Sequence, residues 1–162
     1  MILIEPTKEN ILLARSKAED IGRLNNSIRA GQGNIAGCLG EIVCAEKLGW
    51  DLKNTYDYDC IAKKQFKIDI KTKERKVPPR GNYYASVADY NTKQKCDFYV
   101  FCSTVGLSSV YIIGIIKKEE FYDKATFFKQ GDFDPSSSEL FPFYFTADCY
   151  NLEYSELYPI GS

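Results

Sequence analysis

The clearest pattern along the chain is the alternation in Phe66-Lys67-Ile68-Asp69-Ile70-Lys71-Thr72-Lys73. Phe66, Ile68 and Ile70 share one face; Lys67, Asp69, Lys71 and Lys73 share the other. That period of two predicts a half-buried strand over 66–73. A second strand is predicted over roughly 51–61, ending in Asp59-Cys60-Ile61, and Lys63-Lys64-Gln65 is the polar break between them. A hairpin turning there puts Asp59 opposite Asp69 or Lys71. Directly opposed residues of an antiparallel pair point to one face. Two carboxylates and a lysine therefore converge on one side of a sheet.

The remaining elements follow from the same kind of pattern. Met1-Ile2-Leu3-Ile4-Glu5-Pro6 reads as a short strand. Thr7 is a suitable N-cap for a helix over 8–22, with Ile11, Leu12, Arg15, Ala18 and Ile21 at helical spacing. Gly31-Gln32-Gly33-Asn34 breaks the chain, and Asn34 caps a second helix. That helix carries a broad stripe of Ile35, Ala36, Cys38, Leu39, Ile42, Val43, Ala45 and Leu48, with Glu41 in its middle, and ends at Gly49. Val77-Pro78-Pro79-Arg80-Gly81 is a stiff extended loop. Residues 82–95 fit neither period. Strands are predicted at 97–102 and 108–116, a short helix at 119–125, loop at 127–142, and a last short helix or strand at 150–157. The order predicts one α/β domain over 1–162, with a single central sheet and helices against it.

Composition narrows the chemistry. A chain of 162 residues, 44% hydrophobic and 14% aromatic, can bury a core as one domain. No apolar run is long enough to span a bilayer, and the first residues are too short a stretch, without basic residues, for a secretory signal. Six cysteines, no Cys-x-x-Cys pair and no histidine argue against zinc-ligand arrays. Buried free thiols in a reducing cytoplasm are the expectation. Without histidine, Ser-His-Asp and Cys-His mechanisms are excluded within this chain. Carboxylate, lysine and tyrosine remain. A buried Glu41 in an apolar helix needs a partner.

The net charge of −1 hides an asymmetry. Lys63, Lys64, Lys67, Lys71, Lys73, Arg75, Lys76 and Arg80 lie close together in sequence, against Asp69 and Glu74. The last third is acidic. A basic edge beside an acidic remainder suits local phosphate contact; the plainer alternative is a solvated, lysine-rich hairpin. Tyr83, Tyr84 and Tyr90 follow the basic stretch and either stack on bases or pack in the core.

Gly37-x-x-Gly40-Glu41 on a helix, then Tyr58-Asp59, then Asp69-x-Lys71, resembles the PD-(D/E)XK nuclease superfamily, in particular its phage-encoded and homing-endonuclease-like members. The resemblance covers roughly residues 34–102; where the motif's name has proline, position 58 is Tyr. It implies a restriction-endonuclease-like core, a central mixed β-sheet flanked by helices. It implies a metal-dependent deoxyribonuclease in which Glu41, Asp59, Asp69 and the Ile70 carbonyl hold Mg²⁺, with Mn²⁺ substituting. Lys71 would position water or stabilise the scissile phosphate, and Lys73, Arg75, Lys76 and Arg80 would contact DNA. Gly37 and Gly40 would let the helix approach the sheet closely. Asp57 is a substitute for Asp59. A homodimer, a structure-selective junction resolvase and a non-catalytic DNA- or protein-binding module on the same fold remain open, as does a phage origin in a bacterial cytoplasm.

Overall fold

The computed structural model describes residues 1–24 and 35–161; the break at 31–34 and the Asn34 cap lie outside the described residues. The elements in chain order are β1 (Ile2–Ile4), α1 (Lys8–Leu24), α2 (Ile35–Leu48), β2 (Asp51–Leu52), β3 (Cys60–Ala62), β4 (Phe66–Arg75), β5 (Tyr84–Ala88), β6 (Phe98–Val105), β7 (Ser109–Lys117), α3 (Lys118–Lys124), β8 (Thr126–Phe128) and β9 (Cys149–Glu153). Six of the strands form a mixed sheet in the order β1-β7-β6-β4-β3-β2. β4, the alternating stretch, runs parallel to β6 and antiparallel to β3.

The β3–β4 hairpin turns at Lys63 and Lys64, whose φ angles are 50° and 60°. Positive φ at both central residues of the 62–65 turn, closed by the Gln65 amide on the Ala62 carbonyl at 3.1 Å, matches the twist of the flanking strands. The register pairs Cys60 with Ile68 and Ala62 with Phe66, so Asp59 comes level with Asp69. The strand predicted over 51–61 is corrected here. β2 folds back antiparallel on β3, and the polar residues between them form a turn in which the Lys53 and Asn54 amides donate to the Asp59 carbonyl (2.7 and 3.1 Å).

The two faces of β4 meet different partners. Ile68 and Ile70 pack with Cys44, Ala45, Cys60, Val100 and Cys102, so α2 lies on this face. A Cβ at Gly40 would fall 2.0 Å from the Thr72 hydroxyl oxygen; glycine is what lets α2 seat there. At Gly37 a Cβ would meet nothing within 4 Å, so the close approach predicted for both glycines belongs to Gly40 alone. α1 covers α2 through Ala14 and Ala18 against Leu39 and Val43. Its N-cap is reciprocal: the Asn10 amide donates to Thr7 Oγ1 at 3.1 Å, and the Thr7 amide to Asn10 Oδ1 at 2.9 Å. Leu12, one of the residues at helical spacing, is 67% exposed.

The single sheet predicted is also corrected. The ambiguous residues 82–95 supply β5, which joins β9 and β8 in a second, three-stranded sheet. β8 also takes the start of the predicted 127–142 loop. Ala85, Val87 and Leu152 of this sheet pack with Tyr99, Phe101 and Phe121, on the face of the main sheet opposite α2. Edge-on rings of Tyr99, Phe121 and Tyr122 fill the space between. All six cysteines are buried and free, as expected. Among the described residues no helix is long and apolar enough to cross a membrane.

Candidate active site

The site forms where β3 stops following β4. The chain before Cys60 turns away, and the Ile70 amide on that side loses its strand partner. Asp59 Oδ2 accepts its proton instead, at 2.7 Å. A strand residue directs its N–H and C=O to the same edge, so the Ile70 carbonyl faces the same opening. Asp69, on the other face of β4, is 3% exposed. Its Oδ1 accepts from Gln94 Nε2 at 3.3 Å, and Lys71 Nζ lies 2.7 Å from its Oδ2. That contact is a close ion pair, and the Lys71 ammonium is the only polar group facing this buried oxygen among the described residues. Lys71 donates instead to Gln94 Oε1 at 3.1 Å, and Gln94 is anchored by its own Nε2 donating to the Tyr56 carbonyl at 2.8 Å. Glu41 arrives from α2 and is paired with Lys17 of α1, which also donates to Asn54 Oδ1.

Burial dominates the electrostatics. It lifts Asp59 to about 8, and the charges of Glu41 and Asp69 add to the lift, against the Ile70 amide and Lys71. Burial likewise raises Asp69, opposed by Lys71 and by Gln94. Burial raises Glu41, with Lys17 opposing. Three acids this close cannot all ionise cheaply in a low-dielectric site, so they titrate as a set and retain a proton near neutral pH.

The remaining predicted residues divide by position. Asp57 stands outside the cluster: its Oδ1 accepts the Lys95 amide at 3.0 Å. Lys73 and Arg75 continue the Lys71 face of β4, with the Arg75 guanidinium 4.5 Å from the Tyr83 ring centre. Lys76 and Arg80 are exposed on the following loop. Tyr83 and Tyr84 are half-buried, whereas Tyr90 is 69% exposed. Two contributors escaped the sequence reading. Lys17 carries a visible signal, a cation set among Ala14, Ala18 and Ile21 on the buried stripe of α1. Gln94 carries none, because nothing in its neighbourhood is periodic.

Comparison with known family models and with curated proteins gives no match for this chain.

Among the described residues no group of three or more His, Cys, Asp or Glu side chains is arranged to hold one ion. Glu41 is drawn to Lys17, which leaves Asp59, Asp69 and the Ile70 carbonyl as the nearest donors. An all-oxygen set suits a hard cation. Mg²⁺ is typically held by one or two carboxylates, with water and substrate phosphate completing its shell. Asp69 Oδ2, buried and faced by the Lys71 ammonium alone, is the oxygen best placed to turn to such an ion. The donors fit the ion on those terms.

Proposed function

We propose that this chain is a metal-dependent nuclease of the PD-(D/E)XK type, with a restriction-endonuclease-like core, hydrolysing DNA phosphodiester bonds. The observation that carries the reading is the Asp59–Asp69–Lys71 cluster, with Asp69 buried and the other two half-buried, at the point where a hairpin strand departs from the sheet. A bound Mg²⁺, or Mn²⁺ in its place, would supply Lewis acidity toward a phosphoryl oxygen and acidify a water molecule.

The chain's own residues supply the rest. Asp59 and Asp69 would hold the ion, with the Ile70 carbonyl beside them. Glu41 is close enough to couple electrostatically to both acids and would join through water. Lys71, adjoining Asp69, would orient the attacking water or stabilise charge as it develops on the scissile phosphate. Gln94 is a positioning residue, since it fixes both Lys71 and Asp69. A binding-only module would gain nothing from buried acids placed against phosphates, which repel them.

The test is cleavage of plasmid and linear DNA in Mg²⁺, in Mn²⁺ and in excess chelator, with Asp69→Asn and Lys71→Ala alongside. Metal-dependent cutting by the wild type, lost in both variants, is expected. Cutting that persists undiminished under chelation overturns the reading. So does the absence of both cleavage and any metal-induced shift in melting temperature.

A further inference from the structure

A groove of about 540 Å³ lies along the same face of β4 as Asp69 and Lys71. A smaller hollow, lined by Lys71, Lys73, Tyr84 and Ser86, joins the cluster to it. Lys73 and Arg75 contribute the groove's positive charge, and Tyr90 and Phe143 stand on its walls.

Four observations define what the groove takes. First, its cations make no close ion pair. Among the described residues neither Lys73 nor Arg75 forms an ion pair with a carboxylate. Arg75 is held by the Tyr154 hydroxyl at 3.1 Å and by the Tyr83 ring, and its Nε is buried without a hydrogen bond. Desolvation and the repulsion of Arg75 lower the Lys73 pKa, against the attraction of Asp134. Asp134, on the rim, has its Oδ1 engaged by the Ser136 amide and hydroxyl at 2.8 and 2.7 Å. Second, its aromatic rings are open: Tyr90 is 69% and Phe143 49% exposed. Third, Lys71, Lys73 and Arg75 recur on one face of a strand at intervals of about 6.5–7 Å, comparable to successive phosphates of an extended strand. Fourth, the volume falls within the range of about 300–1,000 Å³ typical of small-ligand sites. It is of a size to seat a nucleotide.

We propose that this groove seats the unpaired nucleotides next to the scissile phosphate, with phosphates on Lys73 and Arg75 and bases against Tyr90 and Phe143. The substrate class is then DNA with a single-stranded end or branch. The inference rests on the nuclease reading for its scissile phosphate, but its test does not require cleavage.

The test uses the Asp69→Asn protein without metal, a fluorescein-labelled oligothymidylate and a labelled blunt duplex of equal length, titrated at several salt concentrations. Onto that background go Tyr90→Ala, Phe143→Ala, their double variant and Lys73→Gln. All three positions are exposed enough for the fold to survive, and circular dichroism checks it. Lys47→Gln, on α2 across the sheet, is the control. Base stacking on an aromatic ring contributes about 1–3 kcal/mol, so the double variant should weaken single-strand binding at least tenfold, well beyond its effect on the duplex. Lys73→Gln should reduce the salt slope for the single strand by about 0.7. Lys47→Gln should change neither. Unchanged single-strand affinity in the groove variants, or equal losses on both probes, overturns the proposal. If the wild type nevertheless cuts duplex DNA in Mg²⁺, the nuclease reading survives that failure. Groove-dependent single-strand binding, with neither cleavage of any DNA nor a metal-induced shift in melting temperature, supports the groove and defeats the nuclease reading instead.

Discussion

Asp59 Oδ2 accepts the Ile70 amide proton at 2.7 Å, so a carboxylate stands in for the strand that leaves the sheet at Cys60. The bond holds one proposed metal ligand against the backbone of the other strand before any ion arrives. It also gives Asp59 two separable duties. Asp59→Ala leaves a partly buried amide unsatisfied and should cost about 1–3 kcal/mol. Asp59→Asn keeps an acceptor for the amide and, above about pH 8 where the wild-type carboxyl ionises, removes charge from a crowded acidic site, so it should lose little or gain there. Both should abolish the stabilisation that Mn²⁺ gives the wild type. Urea denaturation with and without Mn²⁺ reads all of these effects, and equal losses in the two variants would show that the amide bond is not what Asp59 contributes.

The same site fixes how stability should depend on pH. Asp59 titrates at about 8 in the fold and at about 4 in an unfolded chain. Between those values the folded state holds a proton that the unfolded state has released. Stability of the metal-free protein should therefore fall as pH rises from about 4 to about 8. Asp69 and Glu41, also raised, act in the same direction. Metal must displace the retained proton, so its stabilising effect should grow with pH over that window. Melting temperatures from pH 5 to 9, with and without Mn²⁺, show both slopes. A metal-free curve that rises through the window would mean that the acids are ionised and paired.

What could be read from the sequence was what is local. The alternation in β4 needs only eight consecutive residues, and the polar break at 63–65 fixes the register that brings Asp59 level with Asp69. The capping of α1 by Thr7 is equally local. The second sheet was hidden although β5 itself alternates, with Ala85 and Val87 buried and Ser86 exposed. Small side chains mute the pattern, and its partner β9 lies more than sixty residues on, with Ser86 opposite Asn151. Lys17 and Gln94 reach the site from 24 and 25 residues away in sequence. Such contacts are decided by how layers stack, which periodicity does not report. The absence of Asp57 from the cluster follows from its bond to the Lys95 amide, another long-range contact.

Gly40 places α2 against β4, and its tolerance should be narrow. An added methyl would sit 2.0 Å from Thr72 Oγ1 and 2.9 Å from Thr72 Cβ. Gly40→Ala should destabilise by about 1–3 kcal/mol, the range for overpacking, despite the better helix propensity of alanine. Thr72→Ala removes the nearest atom but not Cβ, so the double variant should recover part of the loss. Gly37→Ala meets open space and should be neutral or mildly stabilising. Chemical denaturation of the four variants tests this, and a neutral Gly40→Ala would mean that α2 can shift without cost.

The charge asymmetry along the chain should appear in DNA binding. Lys76 and Arg80 are exposed beyond the end of β4, while Glu153 and Glu156 belong to the acidic last third. Reversing Lys76 and Arg80 should weaken duplex binding and flatten its salt dependence, because fewer counterions are released. Reversing Glu153 and Glu156 should weaken neither. Titrations with the inactive Asp69→Asn background separate the two, and equal effects would show that the basic stretch does not border the DNA.

Gln94 offers the sharpest test of how the site is held. It touches Asp69, Lys71 and the Tyr56 carbonyl at once, and it is only 6% exposed. If Lys71 acts in the transition state, Lys71→Ala should lower kcat by about 10²–10³ with little change in KM. Gln94→Ala leaves the ammonium in place but frees it to move, so its loss in kcat should be smaller, and added to Lys71→Ala it should cost little more. Residues acting through one another are non-additive in this way. Gln94→Glu keeps an acceptor for Lys71 but sets a fourth acid against Asp69, and should be worse than Gln94→Ala at pH 8. Kinetics of the single and double variants decide the matter: fully additive losses from Lys71 and Gln94 would mean that Gln94 serves the reaction by some route other than Lys71.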